Sequence, residues 1–470
     1  MAASMTKRPG LGVLDASLIV VGSIVGSGIF LVSGVVAQGA PSHVAFLSLW
    51  VVGGAVALAG ALSNGELGGM FPRSGGEYVY LREAYGPRVG FLSGWTSFCV
   101  GFPGSIAALA AGFGATVAPM LGLGGAAVKN IGLLAIVALT AVNALGLSPA
   151  KWIQNVLSIT KLVAFCGLMA LAFVRHPAPA ASPLAPPVAP VGSGAVADAL
   201  MAVFFAYSGW NAATYITGEM RDAQRTLGRA LALGTGVCIV LYVLVNGVYL
   251  HAMSLPELAA AKQPARDAAV ALGGTVAAAV LSPLVAVSVL SSMQATVLVG
   301  PRIYEAMAAD GLFFPAVGRV HATTRVPIVA LLAQGVISSV LLVTGSFGEL
   351  VTLASFAIGA FSTLTVIAVL VLRRRRPDAP RPFRVPAYPV TPLLFVAVNV
   401  WVLWSLLAGI PEELRRALAS HENIWGLWGV LAFGTKAALG CVVIVVTGIP
   451  AYAAFRAWGR PVSLEAEKSG

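Results

Sequence analysis

Three glycines interrupt the first long apolar run of the chain, within the segment GSIVGSGIF at residues 22–30. The run covers residues 13–37, which exceeds the roughly 20 helical residues that cross a bilayer. Each glycine disfavours a helix by about 1 kcal/mol relative to alanine, and a broken helix in hydrocarbon leaves backbone groups unpaired. We predict that the helix unwinds here and offers those groups to a small polar ligand. Packing of Gly22 and Gly26 against another helix is the alternative interpretation.

A second interruption lies in the segment FAYSGWN at residues 205–211, in the middle of another apolar run. Serine, glycine, tryptophan and asparagine are poor helix formers there, whereas the flanking residues are good ones. Glycine-interrupted segments at corresponding places in two halves of a membrane protein indicate a transporter built from inverted repeats. Two packing kinks are the alternative, and the pairing of the breaks favours a binding site instead.

The backbone groups at the two breaks define the kind of ligand. After the first break, the N–H groups of Gly26, Ser27 and Gly28 are predicted to lie free at the positive end of a half-helix, which suits a carboxylate. The carbonyl groups that precede the two breaks suit an ammonium group. They belong to Ile24, Val25, Phe205 and Ala206. A site with both kinds of group is matched to a zwitterionic α-amino acid.

Lys161 lies well inside a later apolar run, in the segment ITKLVAF at residues 159–165. A charge in the middle of a membrane helix costs roughly 2.5–3.5 kcal/mol on insertion scales, and such residues usually have a role. The amine could replace a bound sodium ion by bridging the first and eighth helices, or it could release and regain a proton as buried lysines do. The alternative is a side chain that snorkels to an interface.

The composition indicates a helical protein that crosses a membrane many times. The 470 residues are 58% hydrophobic and 10% charged, with mean hydropathy +0.88, whereas soluble domains carry about 25% charged residues. The net charge of +11 does not predict nucleic-acid binding, because the basic residues lie mainly in segments on one side of the predicted membrane spans. The histidines and cysteines lack metal-ligand spacing, and no catalytic motif is recognisable. We therefore predict no enzymatic activity, no catalytic residues, no metal and no cofactor.

Twelve apolar runs are long enough to span a bilayer, so both termini are predicted on one side. They cover about residues 13–37, 43–69, 88–119, 128–148, 153–174, 197–220, 228–252, 269–300, 326–345, 350–372, 389–410 and 426–455. Most of the 29 basic residues fall in internal segments if the N-terminus is cytoplasmic, as the positive-inside rule requires. We therefore expect a multi-pass protein of the cell inner membrane, in contact with the lipid bilayer, with cytoplasmic N- and C-termini.

The predicted fold class is an all-α membrane protein with 12 transmembrane helices. Five plus five of them form an inverted repeat with discontinuous helices 1 and 6, and two additional helices follow. Residues 1–470 form a single transmembrane transporter domain. Within it we expect repeat one at about 13–175, a proline-rich external linker at about 176–195, repeat two at about 196–372 and the extra helices at about 389–455.

Acidic residues near the internal ends of the spans are candidates for closing the site. Glu219, at the end of the sixth span near Arg221 and Asp222, is a possible gate residue; a solvated helix end is the alternative. Asp15 and Glu66 are expected to pair with arginines when the internal side is shut, and Arg302 and Glu305 are further candidates for the same network.

The quoted segments together resemble the amino acid–polyamine–organocation superfamily, and most closely its L-type amino acid transporters and their bacterial relatives. The connector FPRSGGEY at residues 71–78 and the stretch at residues 300–314 extend the likeness over nearly the whole chain. The resemblance implies a five-plus-five inverted repeat with two added helices, which transports amino acids by alternating access.

The resemblance also implies roles for individual residues. Ser27 and Gly28 would hold the carboxylate of the amino acid, and the carbonyl groups of Ile24 and Phe205 would accept its amino group. Lys161 matches the fifth-helix lysine of the family, which implies transport without sodium.

Other site residues follow from the same likeness, together with two departures from it. Trp210 and Asn211 would line the pocket and its gate. Ser208 stands where many L-type members have glycine, which predicts a smaller side-chain pocket. The external loop at about residues 122–129 lacks the cysteine that binds a single-pass partner in animal members, so we expect no disulfide-linked heavy subunit.

We therefore expect sodium-independent transport of amino acids, by an exchanger or a facilitator. Two alternatives keep the fold: proton-coupled uptake with Lys161 as the proton-binding group, and antiport of an amino acid against an amine. A channel is disfavoured because no span shows a polar stripe. The expectation requires that both helices are broken and that a small cavity lies between them.

Overall fold

The structure is a computed structural model that describes residues 10–26, 28–174, 193–261, 263–345, 347–408 and 433–458. Every regular element within these ranges is a helix. Ser27 and most of the predicted external linker lie outside the described residues.

The described residues of the first half of the chain form nine α-helices. They are α1 (Val13–Ile24), α2 (Gly28–Leu31), α3 (Ser33–Gln38), α4 (His43–Met70), α5 (Glu77–Tyr85), α6 (Pro87–Thr96), α7 (Phe102–Met120), α8 (Ala126–Ala144) and α9 (Leu147–Val174). A π-helical segment, Ser97–Gly101, joins α6 to α7.

The second half contains nine more α-helices in the described residues. They are α10 (Ser193–Tyr207), α11 (Ala223–Ala252), α12 (Leu255–Ala260), α13 (Pro264–Val299), α14 (Pro301–Ala309), α15 (Ile328–Thr344), α16 (Phe347–Arg375), α17 (Val390–Ala408) and α18 (Phe433–Trp458). A 3₁₀-helix, Ala212–Glu219, follows α10.

The chain is a multi-pass membrane protein. Eight helical segments of the described residues are long and apolar enough to cross a bilayer. They are His43–Met70, Pro87–Met120, Ala126–Ala144, Leu147–Val174, Ala223–Ala252, Pro264–Ala309, Phe356–Arg375 and Gly440–Ala457. Shorter apolar helices occur at Val13–Ile24, Ile328–Thr344 and Val390–Ser405. The total of twelve spans and the inverted repeat stay predictions.

Large apolar side chains cover the outer faces of these helices as well as their inner faces. Val163 on α9 and Trp404 on α17 are about two-thirds exposed, which a bilayer accommodates and water does not. The buried centre is aromatic: Trp50, Tyr207 and Tyr242 pack against one another with ring centroids 4.8–6.2 Å apart. This cluster lies where α4, α10 and α11 meet, beside the end of α1.

Two predicted spans are not continuous α-helices. The sixth span, predicted at 197–220, is helical only to Tyr207 and continues as a turn and the 3₁₀-helix. The third span contains the π-helical segment, just before Pro103. Because a proline has no N–H, it cannot donate to the carbonyl four residues earlier, at Cys99. The sequence analysis missed this irregularity.

Candidate functional site

The first break separates α1 from α2. Helix α1 ends at Ile24, and the N–H of Gly26 then donates to the Ile24 carbonyl at 2.8 Å in a tight turn. The expectation that the Gly26 N–H is free is therefore wrong. Gly28 begins α2, so its N–H belongs to the first turn, where amides lack partners within the helix.

The second break separates α10 from the 3₁₀-helix. The backbone N–H and the hydroxyl of Ser208 both donate to the Phe205 carbonyl, at 3.1 and 2.7 Å. Gly209 follows with φ +96°, in the left-handed region that glycine adopts at low cost. The chain then turns, and the N–H of Ala212 donates to the Gly209 carbonyl at 3.0 Å.

The two breaks touch each other. A Cβ atom on Gly28 would lie 2.7 Å from the Cα of Ala206, so only glycine permits this approach. The hydroxyl of Tyr242 on α11 lies 2.9 Å from the carbonyl oxygens of both Ile24 and Ala206. Tyr242 thus joins the ends of α1 and α10. Sequence reasoning missed it, although a tyrosine in an apolar span needs a hydrogen-bond partner for its hydroxyl.

A cavity of about 420 Å³ lies between the breaks, within the usual size range of small-molecule sites. Most predicted site residues line it. They are Ile24, Gly26, Gly28, Phe205, Ala206, Ser208, Trp210 and Asn211. Its walls also include aromatic side chains from other helices, among them Phe102, Phe361 and Phe395. Trp210 packs edge-on against Phe395, with ring centroids 5.5 Å apart.

Val25 and Lys161 belong to a second cluster behind the first break. The Lys161 ammonium is buried and donates to the carbonyls of Gly22 at 3.0 Å, Val25 at 2.6 Å and Ser288 at 3.4 Å. The hydroxyl of Ser292 bonds the same two α1 carbonyls, at 2.7 and 3.0 Å. Lys161 therefore bridges the end of α1 to α13 rather than facing the cavity. The serines were not predicted.

Asn211 connects the second break to a carboxyl group that the sequence analysis did not select. Its amide donates to Glu77 Oε1 at 2.9 Å and to the Tyr215 hydroxyl at 2.9 Å. The Ser362 hydroxyl of α16 donates to the same Glu77 oxygen at 2.5 Å. Glu77 begins α5, is 4% exposed and lines the cavity. This end of the connector is therefore buried, although its sequence is polar.

Ion pairs close the end of the molecule that carries residue 10, here called the N-terminal face. Glu219 pairs with Arg302, which also lies 3.6 Å from Glu305. The N–H of Leu11 donates to the Glu219 carbonyl, and the Leu11 carbonyl accepts from the N–H of Arg221. These bonds connect the segment before α1 to the end of the 3₁₀-helix.

Two further carboxylates contribute to the N-terminal face. Glu66 pairs with Arg373 at 2.6 Å and Arg381 at 3.4 Å, as expected for an acidic residue there. Asp15 pairs with Lys151 at 3.3 Å, so the expectation of an arginine partner is wrong. The cause is local: α1 packs against the start of α9, where the available cation is Lys151.

Two discontinuous helices that meet at a cavity inside a multi-pass membrane protein are the arrangement of a transporter for a small polar molecule. Residues 11–449 match the family model described as amino acid permease. The chain belongs to this amino acid permease family, within the amino acid–polyamine–organocation superfamily. It is a transport protein and not an enzyme.

Three relatives show how far the similarity extends. The serine/threonine exchanger SteT of Bacillus subtilis (strain 168) is 30% identical over 420 residues, which cover 89% of this chain and 95% of SteT. The b(0,+)-type amino acid transporter 1 of Mus musculus is 30% identical over 410 residues, covering 85% and 83% of the two chains. The large neutral amino acids transporter small subunit 2 of Homo sapiens is 31% identical over 438 residues, covering 88% and 81%.

Proposed function

We propose that this protein moves amino acids across the bacterial inner membrane without sodium, by alternating access, as an exchanger or a facilitator. One observation carries the proposal: the Tyr242 hydroxyl joins the ends of the two broken helices, and a cavity lies between the breaks. Membership of the amino acid permease family and the exchange activity in the name of SteT support it.

The backbone at the breaks supports a binding mode for both charged ends of an amino acid. The carboxylate would bind the start of α2 at Ser27 and Gly28, where first-turn amides and the helix dipole favour an anion. The ammonium group would bind the Phe205 carbonyl. The Ser208 hydroxyl that now donates to this oxygen can rotate away, because a serine hydroxyl turns freely about one bond. Ile24 would supply the second carbonyl once it loses one of the two bonds that it now accepts, from the Gly26 N–H and the Tyr242 hydroxyl.

The surroundings of Lys161 support a fixed cation rather than a proton carrier. An ammonium has three N–H donors, and Lys161 faces three carbonyl oxygens, which only accept. A neutral amine would turn a lone pair toward those oxygens. We therefore favour the hypothesis that Lys161 substitutes for a sodium ion at the end of α1.

The larger architecture belongs to the same proposal. We infer twelve transmembrane helices, with a five-plus-five inverted repeat and two added helices, and both termini in the cytoplasm. A disulfide-linked subunit is not expected, because the loop between α7 and α8 has no cysteine.

Purified protein in proteoliposomes tests the proposed function. We expect uptake of radiolabelled serine, leucine or arginine to rise at least tenfold when the vesicles are preloaded with unlabelled amino acid, and to be equal in sodium and choline buffers. Competition by each of the twenty amino acids then shows which side chains the transporter accepts in its substrate. Uptake that requires sodium, or no uptake of any amino acid, would contradict the proposal.

A further inference from the structure

Glu77 is a buried carboxyl group in the cavity that no positive charge neutralises among the described residues. Its side chain is 4% exposed, and its oxygen Oε1 accepts hydrogen bonds from Asn211 and Ser362, which are neutral. Burying an uncompensated carboxylate is costly, so such a group is either protonated or meets a cation that comes and goes.

The neighbouring charged groups are all engaged elsewhere. On α5 itself, Arg82 pairs with Asp310. On α14, which packs against α5, Arg302 pairs with Glu219 and Glu305. On α16, Arg373 pairs with Glu66.

The titratable groups that interact with Glu77 are tyrosines. Tyr80 lies on α5, and Tyr215 lies on the 3₁₀-helix. On α14, the Tyr304 hydroxyl contacts the Ser97 carbonyl and Gln334 instead. On α6, which also packs on α5, Arg88 is exposed. A proton or a bound cationic substrate is therefore what remains to balance Glu77.

We propose that Glu77 is the proton-binding group of the transport site, and that its protonation permits the second break to move. This inference rests on the proposed function, which it deepens. It differs from proton transfer by Lys161, whose donors face carbonyl oxygens.

The contacts of Glu77 explain how its charge controls movement. One oxygen joins three elements: α5 through Glu77, the second break through Asn211 and α16 through Ser362. Hydrogen bonds to an ionised acceptor are roughly twice as strong as bonds between neutral groups. The ionised form holds Asn211 and Ser362 tightly, and the protonated form releases them. The proton comes from water, forms one O–H bond with the carboxylate, and returns to water when the carboxyl group ionises again.

The expected pH range follows from burial. Helix α5 lies outside the candidate membrane-spanning segments, and burial raises the pKa of Glu77 to about 7 despite the bonds from Ser362 and Asn211, which lower it. Glu77 is then mostly protonated below pH 7 and mostly ionised above it. The exchange rate should be highest at low pH and fall as the pH rises through 7.

Amino acid exchange measured in proteoliposomes at equal internal and external pH tests this inference. For wild-type protein we expect a decrease of about 30-fold between pH 5.5 and 8.5, which is the loss of the protonated form of one group with this pKa. Glu77→Gln keeps a neutral acceptor of the same shape. It should exchange at the wild-type low-pH rate throughout this range.

The control is Glu257→Gln, which removes an exposed carboxylate on α12, away from the cavity. It should retain the wild-type pH profile. Infrared difference spectra give a readout that is independent of transport: the band of a protonated carboxylic acid should titrate near pH 7 in wild-type protein and be absent in Glu77→Gln.

Several results would overturn the inference. One is a Glu77→Gln protein with the wild-type pH profile. A second is a folded Glu77→Gln protein that is inactive at every pH while Glu77→Asp is active without a pH shift. A third is selective loss of cationic amino acids with no change in pH dependence, which assigns Glu77 to the substrate side chain. Absence of amino acid exchange in the wild type would instead refute the proposed function, so the two failures are distinguishable.

Discussion

At the scale of single residues, the site depends on backbone atoms that side chains hold in place. Carbonyl oxygens at the end of α1 are bonded by Tyr242, Lys161 and two serines, so the unwound chain has few unsatisfied groups within the described residues. Such pairing is what allows non-helical backbone at membrane depth. The side chains around the breaks therefore determine whether the binding site forms.

The two glycines of the first break should differ in their tolerance to substitution. A Cβ on Gly28 meets the backbone of Ala206 at 2.7 Å, whereas a Cβ on Gly26 meets the movable Ser292 hydroxyl at 3.0 Å. Overpacking against backbone costs about 1–3 kcal/mol, so Gly28→Ala should reduce uptake by about fivefold or more. Gly26→Ala serves as the matched variant and should lose less. Equal uptake in the two variants, at equal membrane levels, would contradict this reading of the contact.

Replacing Lys161 should impair transport more than folding. Lys161→Ala removes the donor of three carbonyls, but Ser288 and Ser292 still bond the Val25 carbonyl. The expected stability loss is about 1–3 kcal/mol, with at least a tenfold decrease in uptake. Thermal unfolding in detergent and proteoliposome uptake measure the two effects. Lys129→Ala, which removes an exposed lysine bonded to the Val343 carbonyl, is the control and should change neither quantity appreciably.

At the scale of the helices, α11 holds the two discontinuous helices together. It packs extensively against both α1 and α4, and its Tyr242 lies against the carbonyl ends of α1 and α10. The ring of Tyr242 also packs against Trp50 and Tyr207. Helix α11 thus sets the distance between the two halves of the site.

Tyr242→Phe should weaken substrate binding while leaving the aromatic packing intact. Loss of one buried hydrogen bond between the breaks costs about 1 kcal/mol, which corresponds to roughly fivefold weaker affinity. Tyr249→Phe on the same helix is the matched control, because its hydroxyl lies at the longer distance of 3.4 Å from the Ile29 carbonyl. Substrate affinities from binding measurements in detergent should separate the two variants. A larger loss for Tyr249→Phe would show that the hydroxyl bridge is unimportant.

At the scale of the whole molecule, ion pairs at the N-terminal face connect elements that are far apart in the chain. Glu66 on α4 pairs with Arg373 on α16, and Glu219 pairs with Arg302 on α14. Alternating access would require these pairs to separate when the cavity opens toward this face. The strength of these ion pairs therefore sets how often the cavity opens toward the N-terminal face.

Glu219→Gln should favour opening of the N-terminal face. The substitution removes the charge that pairs with the buried Arg302 but leaves Glu305 nearby. A cysteine introduced at Thr296 in the cavity wall should react at least threefold faster with a membrane-impermeant thiol reagent applied to that face. Glu305→Gln removes only the longer 3.6 Å contact and should have a smaller effect. If the introduced cysteine reacts equally fast with and without Glu219→Gln, Glu219 is not a gate residue.

The sequence alone located both breaks, the membrane class and the family, because glycine and polar residues inside apolar runs are a strong local signal. It also selected Lys161, since a charge in such a run is conspicuous without any partner being known. Only the tertiary structure showed that Glu77 and Tyr242 belong to the site. Glu77 meets Ser362, 285 residues away, and Tyr242 meets Ile24, 218 residues away. Neither residue is unusual in its own segment, so only the packing of distant helices gives it a place at the site.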